Sequence, residues 1–185
     1  IQLFKDLIDT LPKNHLLKRY RGDVYYEAKN LDDLFSNMKK EGWTADHLNE
    51  RIDSYLADIE TRDDFKYKVS RKGQFEKGDH NPKYFEELEK MEKLRAAVGQ
   101  FDRFQEMMAR RARYDFDDMI KWVLDAFQEN KNLLASYQER YQYILVDEYQ
   151  DTSGSQSRLV ELLINFWEKP NIFVDRKSTR LNSSH

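Results

Sequence analysis

Two adjacent carboxylates, Asp147 and Glu148, stand directly after the apolar run Tyr143-Ile144-Leu145-Val146. Such a run predicts a strand buried on both faces. In open parallel sheets, ligands bind beyond the carboxyl ends of the strands, which is where these two acids would emerge. Neighbouring side chains there can divide the work: one carboxylate holds Mg²⁺ through its waters while the next orients an attacking water. That is the Walker-B arrangement of nucleotide hydrolysis, in which the metal bridges the β- and γ-phosphates. A strand that merely ends in a solvated acidic turn shows the same spacing, so the two readings stay open on spacing alone. Gln150, Asp151 and Thr152 add polar and acidic groups where a plain turn has little use for them.

A second stretch has a different chemistry. Lys66, Lys68, Arg71, Lys72 and Lys77, against Glu76, are interleaved with Phe65, Tyr67 and Phe75. Cations alternating with rings suit a nucleic-acid backbone with aromatic stacking; a solvated charged loop is the plain alternative. Arg110, Arg111 and Arg113 are expected to pair with acids. Asp115, Asp117 and Asp118 invite a metal reading, but Asp115 is better placed as a helix N-cap, where a carboxylate gains ~0.3–1 kcal/mol from the helix dipole. Trp43, Trp122 and Trp167 are too far apart in sequence to form one stacking platform and are expected in packing.

The elements that must position these groups follow from apolar spacing. Leu31, Leu34, Phe35 and Met38 recur at helical intervals, and Gly42 closes that run. Thr44 and Asp46 are candidate caps for a helix burying Leu48, Ile52, Tyr55, Leu56 and Ile59. A long helix is predicted after Pro82, with Phe85, Leu88, Met91, Leu94, Val98, Phe101 and Met108 facing inward. Phe65 to Asn81 reads as a loop or hairpin, with a short exposed strand possible at Lys66 to Lys72. Phe116, Met119, Ile120, Val123, Leu124 and Phe127 make an amphipathic helix over Asp115 to Phe127. After the strand at Tyr143, a helix starting at Ser155 or Ser157 runs through Leu159, Leu162, Leu163 and Phe166 to Pro170. A further strand begins at Ile172-Phe173-Val174. Strand, helix, strand implies a parallel sheet, so the fold class is α/β: a mostly helical part followed by part of a parallel sheet.

Composition limits the alternatives. The chain has 185 residues, 39% of them hydrophobic and 35% charged, with no cysteine. Disulfides and thiol nucleophiles are therefore excluded, and His15, His47, His80 and His185 are too scattered for a zinc site. No apolar run approaches the ~20 residues that cross a bilayer. Net charge is −3, so any nucleic-acid surface must be local rather than global. The chain opens on Ile1-Gln2, without a start methionine or a signal pattern, and is expected to be a fragment. Residues 175–185, Asp-Arg-Lys-Ser-Thr-Arg-Leu-Asn-Ser-Ser-His, lack periodicity and resemble the translation of a sequencing adapter. They are expected to be a disordered scar and are set aside for fold and function.

Asp147-Glu148-Tyr149-Gln150-Asp151-Thr152 resembles motif II of UvrD/Rep-type superfamily 1 ATP-dependent DNA helicases, and Gln156 resembles their pattern shortly after it. Tyr114-Asp115-Phe116-Asp117-Asp118-Met119-Ile120 is similar to the segment by which that family re-enters its ATPase core. Tyr141 to Val146 resembles the approach to motif II. The likeness is strong over residues 112–174 and looser over 1–111. It implies a helical 1B-like subdomain at 1–111 and, at 112–174, part of a RecA-like P-loop NTPase domain. It also implies ATP and Mg²⁺ as cofactors, single-stranded and duplex DNA as partners, no membrane, a cytoplasmic setting, and a role in repair or replication.

By the same resemblance Asp147 coordinates Mg²⁺, Glu148 polarises the hydrolytic water, and Gln150 and Asp151 couple the nucleotide to the DNA groove. The basic residues Lys66, Lys68, Arg71 and Lys72 become candidate DNA contacts. Two departures stand out. No G-x-x-x-x-G-K-[ST] loop occurs, and the family's Gly-Asp-x-Asp-Gln-Ser motif is replaced after Val174 by Asp175-Arg176-Lys177. The chain by itself is thus expected to be inactive. Two rival functions remain: a non-catalytic helical module binding DNA or protein, and a metal-dependent nuclease on Asp147, Glu148 and Asp151.

Overall fold

The computed structural model describes residues 1–18 and 22–175. The expected disordered tail lies outside these, apart from its first residue, Asp175. The chain forms two compact units: one of Ile1–Phe35 with Trp43–Arg113, the other of Ser36–Gly42 with the described chain from Tyr114 onward.

The first unit is helical. Helix α1 spans Gln2–Asp9, α2 Ala28–Glu41 (its C-terminal part, from Ser36, belonging to the second unit), α3 Ala45–Thr61, α4 Pro82–Val98 and α5 Phe101–Arg110. Thr44 caps α3 through a hydrogen bond accepted from the His47 N–H at 3.1 Å. Asn81 caps α4, with Pro82 in the first turn where its missing N–H costs nothing. The core is a ring cluster: Phe4 stacks on Phe104 at 4.4 Å between centroids, and Phe35 lies 5.2 Å from Phe104 and 5.3 Å from Phe101. Burying each such ring contributes ~1.5–3 kcal/mol.

The single helix predicted from Pro82 to Met108 is two helices. The break is at Gly99-Gln100, where Gly99 closes α4 and Phe101 starts α5. Phe101 keeps its place at the core, but Phe85, expected inward, is 57% exposed.

Phe65 to Asn81 is a hairpin-like loop opened by a short 3-10 turn at Asp63–Phe65. It carries antiparallel bridges Lys66 to His80 and Arg71 to Phe75 rather than a strand.

The second unit packs helices α6 (Phe116–Glu129), α7 (Lys131–Arg140) and α8 (Gly154–Ile164) beside strands β1 (Tyr143–Val146) and β2 (Asn171–Val174). The strands are parallel, with Tyr143 opposite Asn171 and Val146 opposite Val174. Ile120, Leu124 and Phe127 of α6 and Leu134 of α7 are buried. The Gln138 amide donates to the Leu162 carbonyl at 2.7 Å, tying α7 to α8.

Three expectations are corrected here. Strand β1 is not buried on both faces: Tyr143 is 73% and Leu145 77% exposed, and only Val146 is buried, because among the described residues the sheet has two strands and no layer covers that face. Helix α8 begins at Gly154 with Ser153 as cap, and ends at Ile164, well before Pro170. Trp43, Trp122 and Trp167 are not core residues; each is exposed. Among the described residues no helix is long and apolar enough to cross a membrane.

Candidate functional site

The acidic turn lies where the sequence places it, at the carboxyl end of β1. Asp147 is exposed and leaves the strand; its Oδ1 accepts the Glu148 N–H at 2.9 Å. Glu148 adopts the left-handed conformation, φ 48° and ψ 46°. For a residue with a Cβ this costs on the order of 1–3 kcal/mol, and such outliers gather at functional sites. A 3-10 turn at Tyr149–Asp151 follows, closed by the Asp151 N–H on the Glu148 carbonyl at 2.8 Å.

The Gln150 side chain then links Glu148 to Asp151. The Gln150 amide donates to the Glu148 carboxylate and, at 3.4 Å, to Asp151 Oδ2. Thr152 donates its hydroxyl to the Tyr149 carbonyl at 2.7 Å, and its Oγ lies 3.3 Å from that of Ser157. The end of β2 braces the turn from the other side. The Asp175 N–H donates to the Val146 carbonyl at 2.8 Å, and the Tyr149 N–H to the Asp175 carbonyl at 3.0 Å. Ser153 opens α8 in a capping box with Gln156: its Oγ accepts the Gln156 N–H at 3.3 Å, and Gln156 Oε1 accepts the Ser153 N–H at 2.9 Å. Gln156, singled out in the sequence, is therefore a capping residue.

The donor set suits a hard cation shared with phosphate oxygens. Asp147 and Glu148 offer exposed carboxylates beyond a strand end. Among the described residues no group of three or more acids or histidines is gathered to hold a metal unaided. Asp147, Glu148 and Asp151 therefore do not form the cluster a metal-dependent nuclease would use. Mg²⁺ characteristically takes one or two carboxylates and completes its shell with water and substrate phosphates.

Sequence reasoning missed a buried ion-pair cluster elsewhere in the second unit. Lys39 of α2 has a side chain only 3% exposed, and its ammonium lies 2.7 Å from Asp115 Oδ2 and 2.9 Å from the Asp118 carboxylate. Asp115 caps α6 as expected, in a reciprocal box with Asp118: Asp115 Oδ1 accepts the Asp118 N–H, and Asp118 Oδ2 the Asp115 N–H, both at 3.0 Å. Burial pushes the Asp115 carboxyl up, but the Lys39 ammonium and the Asp118 N–H outweigh it and hold the group below its ordinary value. Asp117 is shifted the other way, by burial and then by the nearby Asp115 charge. No spacing rule marks Lys39, which reads as one more solvated lysine after the apolar stripe of α2.

The basic hairpin is a separate site, in the first unit. Lys68, Arg71 and Lys72 are exposed, whereas Lys66 is half-buried and donates to the Thr61 carbonyl at 3.2 Å. Tyr67 and Phe75 stack on one another, 3.6 Å apart and 6° from parallel, so each ring already has one face covered. Phe65 is buried beneath Arg62, whose guanidinium sits 5.3 Å from the ring. The exposed cations, rather than the rings, are what this loop offers a partner. Of the three arginines near the end of α5, Arg111 pairs with Asp6 at 2.6 Å and Arg110 with Glu106 at 3.5 Å.

Comparison with known proteins follows the same lines. A family model described as the UvrD/REP helicase N-terminal domain matches residues 3–176. Over 60 residues the chain is 43% identical to a protein named ATP-dependent DNA helicase PcrA from Leuconostoc citreum, covering 32% of this chain and 8% of that one. A protein of the same name from Staphylococcus epidermidis is 44% identical over 62 residues, covering 34% and 8%. The matched stretch thus spans about 8% of the length of these relatives. No solved structure gives a significant match.

Proposed function

The chain belongs to the UvrD/REP helicase N-terminal domain family, and from that premise we propose that the turn Asp147–Asp151 is the metal-and-water end of an Mg²⁺-ATP site. The observation that carries this reading is the pair of exposed carboxylates beyond a parallel strand, with Glu148 in a strained conformation and hydrogen-bonded by Gln150. The parent protein is a helicase that couples ATP hydrolysis to movement along one DNA strand and to unwinding of a duplex. Residues 1–111 serve as a helical 1B-like subdomain, and residues 112–174 as the returning part of a RecA-like P-loop domain. Repair or replication of DNA in the cytoplasm is the setting this implies.

Asp147 holds Mg²⁺, through water or directly. A Mg²⁺ held there would supply electrostatic stabilisation of the negative charge on the nucleotide's phosphates. Glu148 accepts a hydrogen bond from the attacking water and draws off its proton as the new bond to the γ-phosphorus forms and the bond from that phosphorus to the β–γ bridging oxygen breaks, ADP leaving with the bridging oxygen. Gln150 keeps that carboxylate aimed, and with Asp151 forms the polar edge through which nucleotide state is passed toward DNA. The exposed cations Lys68, Arg71 and Lys72, with Lys66 contributing charge nearby, engage DNA phosphates without reading sequence. With no phosphate-binding Gly-Lys-Thr loop in the sequence, the chain by itself does not turn over ATP.

An Mg²⁺ titration of ATP turnover in the full-length protein tests the assignment of Asp147. Asp147→Asn is expected to raise the Mg²⁺ concentration for half-maximal turnover at least tenfold. An unchanged Mg²⁺ requirement would remove Asp147 from the site.

A further inference from the structure

We propose that Lys39 is a positioning residue for the hydrolytic turn, acting through the first turn of α8; the inference rests on the reading of Glu148 given above. Lys39 joins two elements of the second unit at one point. Its ammonium holds the capping carboxylates Asp115 and Asp118 at the start of α6, while its backbone carbonyl accepts the Ser155 hydroxyl at 2.9 Å at the start of α8. Both Lys39 and Ser155 are buried, so this bond is shielded from competing water.

The approach of the two helices there is close. A Cβ added at Gly154 would lie 2.8 Å from Glu41 Oε2, 3.2 Å from the Glu41 carbonyl oxygen and 3.3 Å from its Cα. Gly42, at φ +67°, ends α2 beside Ser155 Oγ. Helix α8 is thus seated on the end of α2 through Gly154 and Ser155, the residues directly after the cap Ser153.

From that seat the link to the carboxylates is short. Ser153 fixes Gln156, Ser157 lies against Thr152, and Thr152 is bonded to Tyr149, the neighbour of Glu148. A buried lysine is an expensive way to fill space: its charge must be desolvated and then compensated. Here the compensation comes from the two acids that also form the α6 capping box. The arrangement fixes α6 and α8 relative to the same residue, and so fixes where α8 begins. Because the 3-10 turn leads straight into α8, the start of that helix sets where Asp147 and Glu148 point.

The test uses Lys39→Met, which keeps the aliphatic length and deletes the charge, with Ser155→Ala and Lys39→Arg beside it. Hydrogen exchange is measured on the nucleotide-free full-length protein, and kcat and KM for ATP on the same protein. The expected result is exchange at least tenfold faster at the amides of Tyr149, Asp151, Gln156 and Ser157, with β1 amides unchanged. With it, kcat falls roughly tenfold at constant KM in both Lys39→Met and Ser155→Ala, and Lys39→Arg restores most of it. Exchange that stays unchanged over 149–157, or rises evenly across the second unit, would overturn the proposal and leave Lys39 a stability residue. If Lys39→Met does not fold, Ser155→Ala carries the same two outcomes. Glu148→Gln serves as the separating control: normal turnover in that variant defeats the hydrolytic reading, whereas the exchange data still decide whether Lys39 positions the turn.

Discussion

Gln150 donates its side-chain amide to the carboxylate of Glu148, two residues earlier in the same turn. With Glu148 in the left-handed region, this bond leaves its carboxylate few orientations. Gln150→Ala frees the carboxylate without touching the strand. Steady-state ATP turnover by the full-length protein is expected to drop roughly 10-fold, the usual scale for losing a partner that orients a ligand or catalytic group. KM for ATP is expected to stay within about twofold, since in the proposed role Gln150 aims the carboxylate toward water rather than toward the nucleotide.

The acids at the start of α6 respond to pH in opposite senses. The Asp115 carboxyl is held below its ordinary value, so its ionised form favours the fold. That contribution is present above the unfolded carboxylate value, ~3.9, and is lost as pH falls through the folded one. Asp117 is shifted upward, so its ionisation opposes folding once pH rises past the carboxylate range. Asp115→Asn, which keeps a competent cap, is expected to lower Tm at pH 7, and Asp117→Asn to raise it. Melts at pH 7 and pH 3 check both, because each difference shrinks toward zero at the acid end.

Salt dependence reports whether the hairpin cations touch DNA phosphates. Arg71 and Lys72 are exposed, and the neighbouring rings Tyr67 and Phe75 are stacked on each other. Binding through phosphates alone scales with counterion release, about 0.9 in the log–log salt slope per contact on duplex DNA. The double variant Arg71→Ala, Lys72→Ala is expected to flatten that slope by about 1.8 for any sequence of duplex. A slope that does not move would take these residues out of the DNA interface.

Local chemistry was legible in the sequence where it is carried by chain neighbours. Asp115 and Thr44 announced themselves as caps, and the strand with its two acids was visible as an apolar run meeting charge. What escaped was set by distant partners. Leu145 and Tyr143 have the composition of a buried strand but lie on a face that no described layer covers. The helix after Pro82 kept its apolar period through Phe101, so only the backbone reveals the break at Gly99. Lys39 meets acids more than seventy residues away, and no pattern along the chain shows that its charge is buried. Ser155, read as a candidate helix start, instead bonds to α2, because Ser153 already provides the cap.

The central claim is that Glu148 orients the attacking water, and Glu148→Gln in the full-length protein tests it most directly. The substitution keeps the size of the side chain and one oxygen to accept the Gln150 amide, and removes the negative charge and with it the capacity to take a proton. ATP turnover is expected to fall by roughly 10²–10⁴, the range for losing a positioned general base, with nucleotide binding and thermal stability intact. Turnover equal to that of the unaltered protein would contradict the account and return the acidic turn to a solvated strand end.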